Sequence, residues 1–402
     1  MKTKLVPSIR FKGFTNAWEL KNSNEIIEIY SIKNNQNEQL RSYSVTNTQG
    51  FVLQNEFFSN GGTAVYGSKK NSKIISKNSF AFNPSRINVG SIALFNFDDD
   101  GLISNIYETF KLKKDVLENY LDVFFKTNYF KHIIQLNSST GVRSKFSFND
   151  NKNIFMKIPT LPEQEKIYLL INQVKNVVLL LQRKLKMLEN IKNTLLEKMF
   201  ASSKSLYPSV RFKGFTNAWE LKRLGELVTI TSNKNNGKYN ITDFLSVTKV
   251  IKSKEISRDV KPETIRNYNV LNYGEIVYEG HETKTNTFGY LAINLHKNGI
   301  ISNIFSTFRF KREQDLLFWF YFLQNDNIFK HILKRSVKTG IMMHSIDLNM
   351  FYKESLKLPI AKTEMNKIGN LFKYIDDVVS LLQRKLKMLE NIKNTLLEKM
   401  FV

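Results

Sequence analysis

Cysteine is absent from the 402 residues, so neither a disulfide framework nor a thiolate metal site is expected, which fits a reducing compartment. Histidine is scarce. His132, His281, His296, His331 and His344 stand at no ligand spacing, so no zinc site is expected. No apolar run reaches bilayer length: the strongest, LLFWFYFL at 316–323, spans roughly 12 Å as a helix. The opening MKTKLVPSIRFKGF is basic but holds no apolar stretch of signal-peptide length. A soluble, intracellular, cytoplasmic protein is expected. Acids are also few, 36 against 60 basic residues, for a net charge of +24. That excess points to a polyanion, nucleic acid first. A chain this rich in Lys, Asn, Ile and Phe also carries lysine as plain solvated surface.

Catalytic motifs are missing as well. GGTAVYGSKK at 61–70 has phosphate-loop glycines, but Ser68 stands where the loop needs lysine. FNPSR at 82–86 has Ser85 and Arg86 where an adenine methyltransferase motif needs proline and a stacking aromatic, and no glycine-rich cofactor loop precedes it. EGHETK at 279–284 matches a nuclease pattern only as short sequences do by chance.

What the chain does have is repetition. LLQRKLKMLENIKNTLLEKMF at 180–200 returns unchanged at 381–401, a spacing of 201 residues. PSIRFKGFTNAWELK at 7–21 returns at 208–222 with Ile9 replaced by Val210, at the same spacing. Between these ends only landmarks persist. LISNIYETFKLKKD at 102–115 answers IISNIFSTFRFKRE at 300–313, and FKHI recurs at 130–133 and 329–332. STGVRSKFS at 139–147 answers KTGIMMHSI at 338–346. KIPTLPEQEKI at 157–167 answers KLPIAKTEMNKI at 357–368. One fold is written twice with unlike middles.

Each unit reads as mixed structure. Strand-like runs (Arg86 to Phe97; Glu275 to Tyr278 and Gly289 to Leu295) precede one helix-like run, Val116 to Ile134 or Gln314 to Leu333. Pro159, Pro162, Glu163 and Glu165 then mark the start of a long helix; the second copy, with KTEMNKI, marks its own start less clearly. Along that helix Ile167, Val174, Leu181, Leu188 and Leu195 recur every seven residues, interleaved by Ile171, Val178, Leu185 and Met199. The second copy repeats the seam with Ile368, Ile375, Leu382, Leu389 and Leu396, interleaved by Phe372, Val379, Leu386 and Met400. A helix of some 55–60 Å with so narrow a stripe cannot bury itself in its own domain and is expected to pair with its twin. Lys192 and Lys393 break the seam at matching places, either as snorkelling stems or as register-setting polar positions. Equal halves also predict pseudo-two-fold symmetry, with the end of the second unit meeting the start of the first.

These features together resemble the specificity (S) subunit of type I restriction-modification systems. The residues carrying the likeness are the two PSxRFKGFTNAWELK openings, FNPSRINVGSIA at 82–93, and ISN with an aromatic nearby at 103–107 and 301–305. IPTLPEQEKI at 158–167 running into the long helix, and the two-unit layout, complete it. The resemblance covers the whole chain. It implies an α+β fold, a tandem repeat of two mixed α/β target recognition domains joined by two long helices pairing as an antiparallel coiled coil. The expected divisions are 1–160 and 204–360 for the recognition domains, and 161–203 and 361–402 for the spacer helices. It further implies that each domain reads half of a split, asymmetric site on double-stranded DNA. Two methyltransferase subunits carrying S-adenosylmethionine would dock to methylate adenines, and two restriction subunits using ATP and Mg would join for cleavage. The chain itself would hold no cofactor and no catalytic residue. A repeat-built adaptor that binds only proteins is the competing reading.

Candidate DNA contacts lie in polar, basic, glycine-bearing loops of the middles. In the first unit these are Tyr66, Ser68, Lys69, Lys70, Lys73, Arg86, Ser139, Thr140, Arg143 and Lys145. In the second they are His281, Lys284, Thr285, Asn286, Lys338, Thr339 and His344. Arg143 suits a bidentate guanine contact, a phosphate clamp or a solvated loop charge; the lysines suit phosphates or bare surface. Trp18 and Trp219, lying in the repeated ends, are expected to anchor packing.

Overall fold

The computed structural model describes residues 5–61, 69–113, 115–138, 145–151, 154–247, 251–252, 261–283, 286–340 and 343–401. Two compact units form. Unit one comprises residues 1–182 with 384–402, and unit two comprises 183–383.

A four-stranded antiparallel sheet centres unit one, with Ile27–Tyr30, Glu108–Leu112, Ser79–Phe82 and Ile92–Phe95 in spatial order. Unit two has the same order in Val228–Thr231, Ser306–Phe310, Ile276–Glu279 and Tyr290–Ile293. The apolar reading of the third strand follows from what covers it. Phe80 and Phe82 enter the core shared with the helices, whereas Ala81 points into a second core with Tyr43, Phe51, Ile75 and Phe95. In unit two Ile276 and Tyr278 face the helical core and Val277 faces Leu245, Leu271 and Ile301. A strand buried on both faces loses the alternation of a half-buried one. Beside this matched framework the units differ. Unit one adds a five-stranded sheet of Ile32–Lys33, Lys73–Ile75, Gly101–Ile103, Arg41–Thr46 and Gly50–Leu53. Unit two instead has the separate pairs Leu245–Ser246 with Ile251–Lys252 and Asn269–Leu271 with Gly299–Ile301.

Two expectations are corrected. The run 86–97 is not one strand: its polar half forms the short turn Ile87–Val89, closed by Gly90 at φ +90°, and the strand is Ile92–Phe95. The helix-like run after the sheet is two helices in each unit, Glu118–Phe124 and Asn128–Asn137, then Leu316–Phe322 and Asp326–Ser336. The break is local chemistry. Thr127 takes an extended backbone and its hydroxyl accepts from the Phe130 N–H, capping a fresh helix. At the matching place Asn325 turns its side-chain amide to the Leu196 carbonyl at 2.7 Å.

The long helices are Leu161–Lys198 and Lys362–Lys399, 38 residues each. In unit one Ile167 and Ile171 share a core with Leu396, Leu397, Met400 and Phe401, and Gln182 reaches Glu390 at 3.5 Å. In unit two Ile368 and Phe372 share a core with Leu195, Leu196, Met199 and Phe200, whose ring stacks on Phe372 at 5.9 Å. Within each unit the start of one helix therefore meets the end of the other. Ile167, Ile171, Val178, Ile368, Phe372, Ile375 and Leu382 are buried. Val174, Leu181, Leu185, Leu188, Leu195, Val379, Leu386, Leu389 and Leu396 are half-buried.

The repeated openings hold these helix ends. Trp18 lies buried against Phe401, edge to face at 6.2 Å, and Trp219 lies buried against Phe200 at 6.5 Å. The Ile9 N–H donates to the Lys399 carbonyl and the Val210 N–H to the Lys198 carbonyl, both at 2.9 Å. Arg10 grips Glu163 with two bonds of 2.7 and 2.8 Å, and Arg211 grips Glu364 with two of 2.6 and 2.8 Å. The second helix thus starts like the first although its sequence there is less explicit. The seam lysines diverge. Lys192 pairs with Asp376 at 2.6 Å and lies 5.4 Å from the ring of Tyr321, whose hydroxyl donates to the same carboxylate. At the positions matching Asp376 and Tyr321, unit one has Lys175 and Val123, and Lys393 makes no ion pair among the described residues.

Candidate nucleic-acid interface

A cleft of about 980 Å³ opens in unit one beside the central sheet, lined by Arg86, Glu108, Lys145, Ser147 and Asn151 among others. Phe146 brings one aromatic ring to the lining. Phe82, Phe146 and Phe148 are buried and meet edge to face, Phe146 and Phe148 at 4.9 Å. One wall is the Asn83–Arg86 turn, in which Asn83 Oδ1 accepts from the Ser85 N–H at 3.0 Å and the Asn83 carbonyl from the Arg86 N–H at 2.9 Å. The Phe146 N–H, donating to the Pro84 carbonyl at 3.0 Å, ties the opposite wall to that turn. Glu108 opens strand Glu108–Leu112, pairs across from Phe82, and accepts from Ser147 Oγ at 3.1 Å. Burial raises the Glu108 pKa, opposed by Ser147.

Unit two builds the same place from other residues. The His344 N–H donates to the Gly280 carbonyl at 2.9 Å, as Phe146 does to Pro84. A side chain at Gly280 would meet the His344 carbonyl oxygen at 2.0 Å, so glycine alone fits. Ser306 pairs across from Tyr278 where Glu108 pairs across from Phe82. Ile304 and Ile106, 51% and 58% exposed, occupy the same loop position in the two units. Like frameworks thus present unlike chemistry.

The sequence-derived contacts fall into groups. Arg86 and Lys145 are exposed and line the one cleft. Lys69, Lys70 and Lys73 lie elsewhere, on the turn Lys69–Asn71 and the strand Lys73–Ile75. Lys70 is exposed, Lys69 reaches Gln39 at 3.2 Å, and half-buried Lys73 donates to the Tyr107 carbonyl at 2.6 Å, its pKa lowered by burial. Exposed His281 pairs with Glu279, and half-buried Asn286 donates its N–H to Thr283 Oγ1 at 3.0 Å. Lys338 is exposed beside Asp347 at 3.4 Å, and Thr339 is exposed. His344, 7% exposed, bonds the Thr287 carbonyl through Nε2 at 2.9 Å and supports the turn from within. Tyr66, Ser68, Ser139, Thr140, Arg143, Lys284 and Thr285 lie outside the described residues. Sequence reasoning passed over Glu108, Ser147 and Asn151. The signal for Glu108 was present, since ISNIYETF and ISNIFSTF differ at that strand position.

Among the described residues there is no cluster of three or more metal-ligating side chains, and no helix is long and apolar enough to cross a membrane. Neither a protein-family model nor a curated protein matches the sequence. Solved structures do. The S subunit of the type I restriction-modification system from M. genitalium is 12% identical, with 99% of each chain covered and a TM-score of 0.58. The HsdS subunit from Thermoanaerobacter tengcongensis is 16% identical, with 96% of each chain covered and a TM-score of 0.50. Over nearly its whole length, this chain has the fold of type I restriction-modification S subunits.

Proposed function

We propose that this chain is the DNA-sequence-specificity subunit of a type I restriction-modification complex. The observation that carries the reading is one framework built twice with different residues at matching positions, Glu108 opposite Phe82 in one unit and Ser306 opposite Tyr278 in the other, on a fold shared with S subunits along nearly the whole chain. Residues 1–160 and 204–360 act as target recognition domains for the two halves of a split site. Residues 161–203 and 361–402 act as the antiparallel coiled-coil spacer between them. Different residues on like frameworks read different letters, which makes the site asymmetric. Cations on the reading surface meet phosphates, and polar groups in the clefts meet base edges.

Methylation of adenines belongs to two methyltransferase subunits holding S-adenosylmethionine, and cleavage to two restriction subunits using ATP and Mg. The chain is non-catalytic and works in the cytoplasm. A docking surface for two like partners is supported by apolar residues left exposed on the identical helix segments. Leu180, Met187 and Ile191 are 64%, 63% and 37% exposed; their twins Leu381, Met388 and Ile392 are 51%, 56% and 41% exposed. Spacings of seven and four residues put each trio on one stripe, about 100° round the helix from the seam. In unit one Met388 and Ile392 line a groove of about 580 Å³ together with Ile9 and Arg384. Val210, the one substituted residue of the repeated opening, is the twin of Ile9.

The test is duplex binding by the chain assembled with its methyltransferase subunits. Log K is expected to fall linearly with log salt, with a slope set by the number of phosphates contacted. Absence of duplex binding in that complex would leave the protein-binding adaptor as the better reading.

A further inference from the structure

The unit-one cleft holds an acid where a surface facing phosphates should have none. Glu108 is half-buried in a lining that also holds the exposed cations Arg86 and Lys145 and a second, exposed acid, Asp150. Most neutral polar side chains around it are committed to the protein itself. Asn83 is engaged with Ser85, Asn137 Nδ2 donates to the Ile133 carbonyl at 2.9 Å, and Ser138 Oγ donates to the Ile134 carbonyl at 2.7 Å. Asn151 Nδ2 donates to the Ser147 carbonyl at 2.8 Å. Glu108 Oε2 accepts from Ser147 Oγ at 3.1 Å, whereas Oε1 accepts no hydrogen bond among the described residues.

An ionised carboxylate accepts hydrogen bonds and repels phosphate, so a duplex entering this cleft has to offer a donor. In the major groove the donors are the cytosine 4-amino and adenine 6-amino groups. Adenine carries the acceptor N7 beside its amino group on its own edge, which opposes a carboxylate; cytosine carries no acceptor on its own major-groove edge, the nearest being O6 of the paired guanine. We propose that Glu108 is a specificity-determining residue that reads a cytosine in the half-site of unit one, accepting from its 4-amino group while Ser147 holds the second carboxylate oxygen. Ser306 at the matching position of unit two makes no such demand, so the two halves are read differently there. This assignment rests on the function proposed above.

The experiment maps methylated adenines in cells carrying the full chain with its methyltransferase subunits, as wild type, Glu108→Gln and Glu108→Ala. The variants are expected to lose about tenfold or more discrimination at one C·G position of the unit-one half, with the unit-two half unchanged. Duplex binding by the wild-type complex supplies a readout independent of variant folding. Each cytosine of that half is replaced in turn by an analogue lacking the 4-amino group. One position is expected to weaken binding by about tenfold or more for wild type, and to cost Glu108→Ala nothing further. A motif unchanged in both variants, no cytosine in the unit-one half, or no sensitive amino group overturns the assignment and leaves the wider function standing. A wild-type chain that directs methylation to no split sequence overturns both.

Discussion

Arg10→Ala is expected to destabilise unit one by about 3–5 kcal/mol, read as a lowered denaturant midpoint for its unfolding. The Glu163 side chain is 1% exposed and that of Arg10 12%, so removing the guanidinium strands a carboxylate away from water. The paired acid also raises the Arg10 pKa through a charge-assisted hydrogen bond. Lysine cannot reproduce the two-pronged contact, so Arg10→Lys should rescue little. Arg10→Met combined with Glu163→Met should recover most of the loss, because no charge then remains to be solvated. Arg211→Ala is expected to cost less, since Glu364 keeps the Trp219 indole at 3.4 Å, whereas Trp18 Nε1 has no partner among the described residues. A loss below about 1 kcal/mol for Arg10→Ala would show that the contact does not fix the helix start.

Met187→Glu together with Met388→Glu is expected to abolish association with the methyltransferase subunits while leaving the melting profile near wild type. Both side chains are more than half exposed, so the folded chain gives up little when they become charged. In an apolar interface the same charge has to be desolvated without a partner, which costs about 2 kcal/mol or more per site, on the order of thirtyfold in affinity. Two such sites make the loss complete at working concentrations. Size-exclusion or mass photometry of the mixed subunits reads the outcome. Unaltered assembly by the double variant would place the docking surface elsewhere, and the exposed stripe would need another explanation.

The parts of this structure legible in the sequence are those written by period and repetition. Recurrence of the openings and of the long helices announced two like units, and the seven-residue spacing picked out seam positions that are buried or half-buried in the fold. The indoles of Trp18 and Trp219 proved to be packing anchors, as their place in the repeated ends suggested. Features set by contacts distant in sequence were harder to read. Arg10 and Glu163 lie 153 residues apart, as do Arg211 and Glu364, and no local pattern joins them. Only their presence at matching positions of both copies offered a clue. The single helix expected over 116–134 failed on one residue: the Thr127 hydroxyl competes for a backbone N–H, which apolar periodicity does not register. Glu108 was passed over because a search for cations with glycine-bearing loops selects for phosphate contact. The residue that sets the unit-one cleft apart from the matching place of unit two sits instead at the start of a strand, inside a landmark the copies largely share.

The most direct test of the account exchanges residues 23–157 for the corresponding segment of a homologous chain with a different middle, keeping both long helices and the second unit intact. Methylated adenines are then mapped in cells carrying the hybrid and its methyltransferase subunits. One half of the modified sequence is predicted to change, with the other half and the number of intervening base pairs preserved. A hybrid that alters both halves, or neither, would contradict the division of reading between the two units.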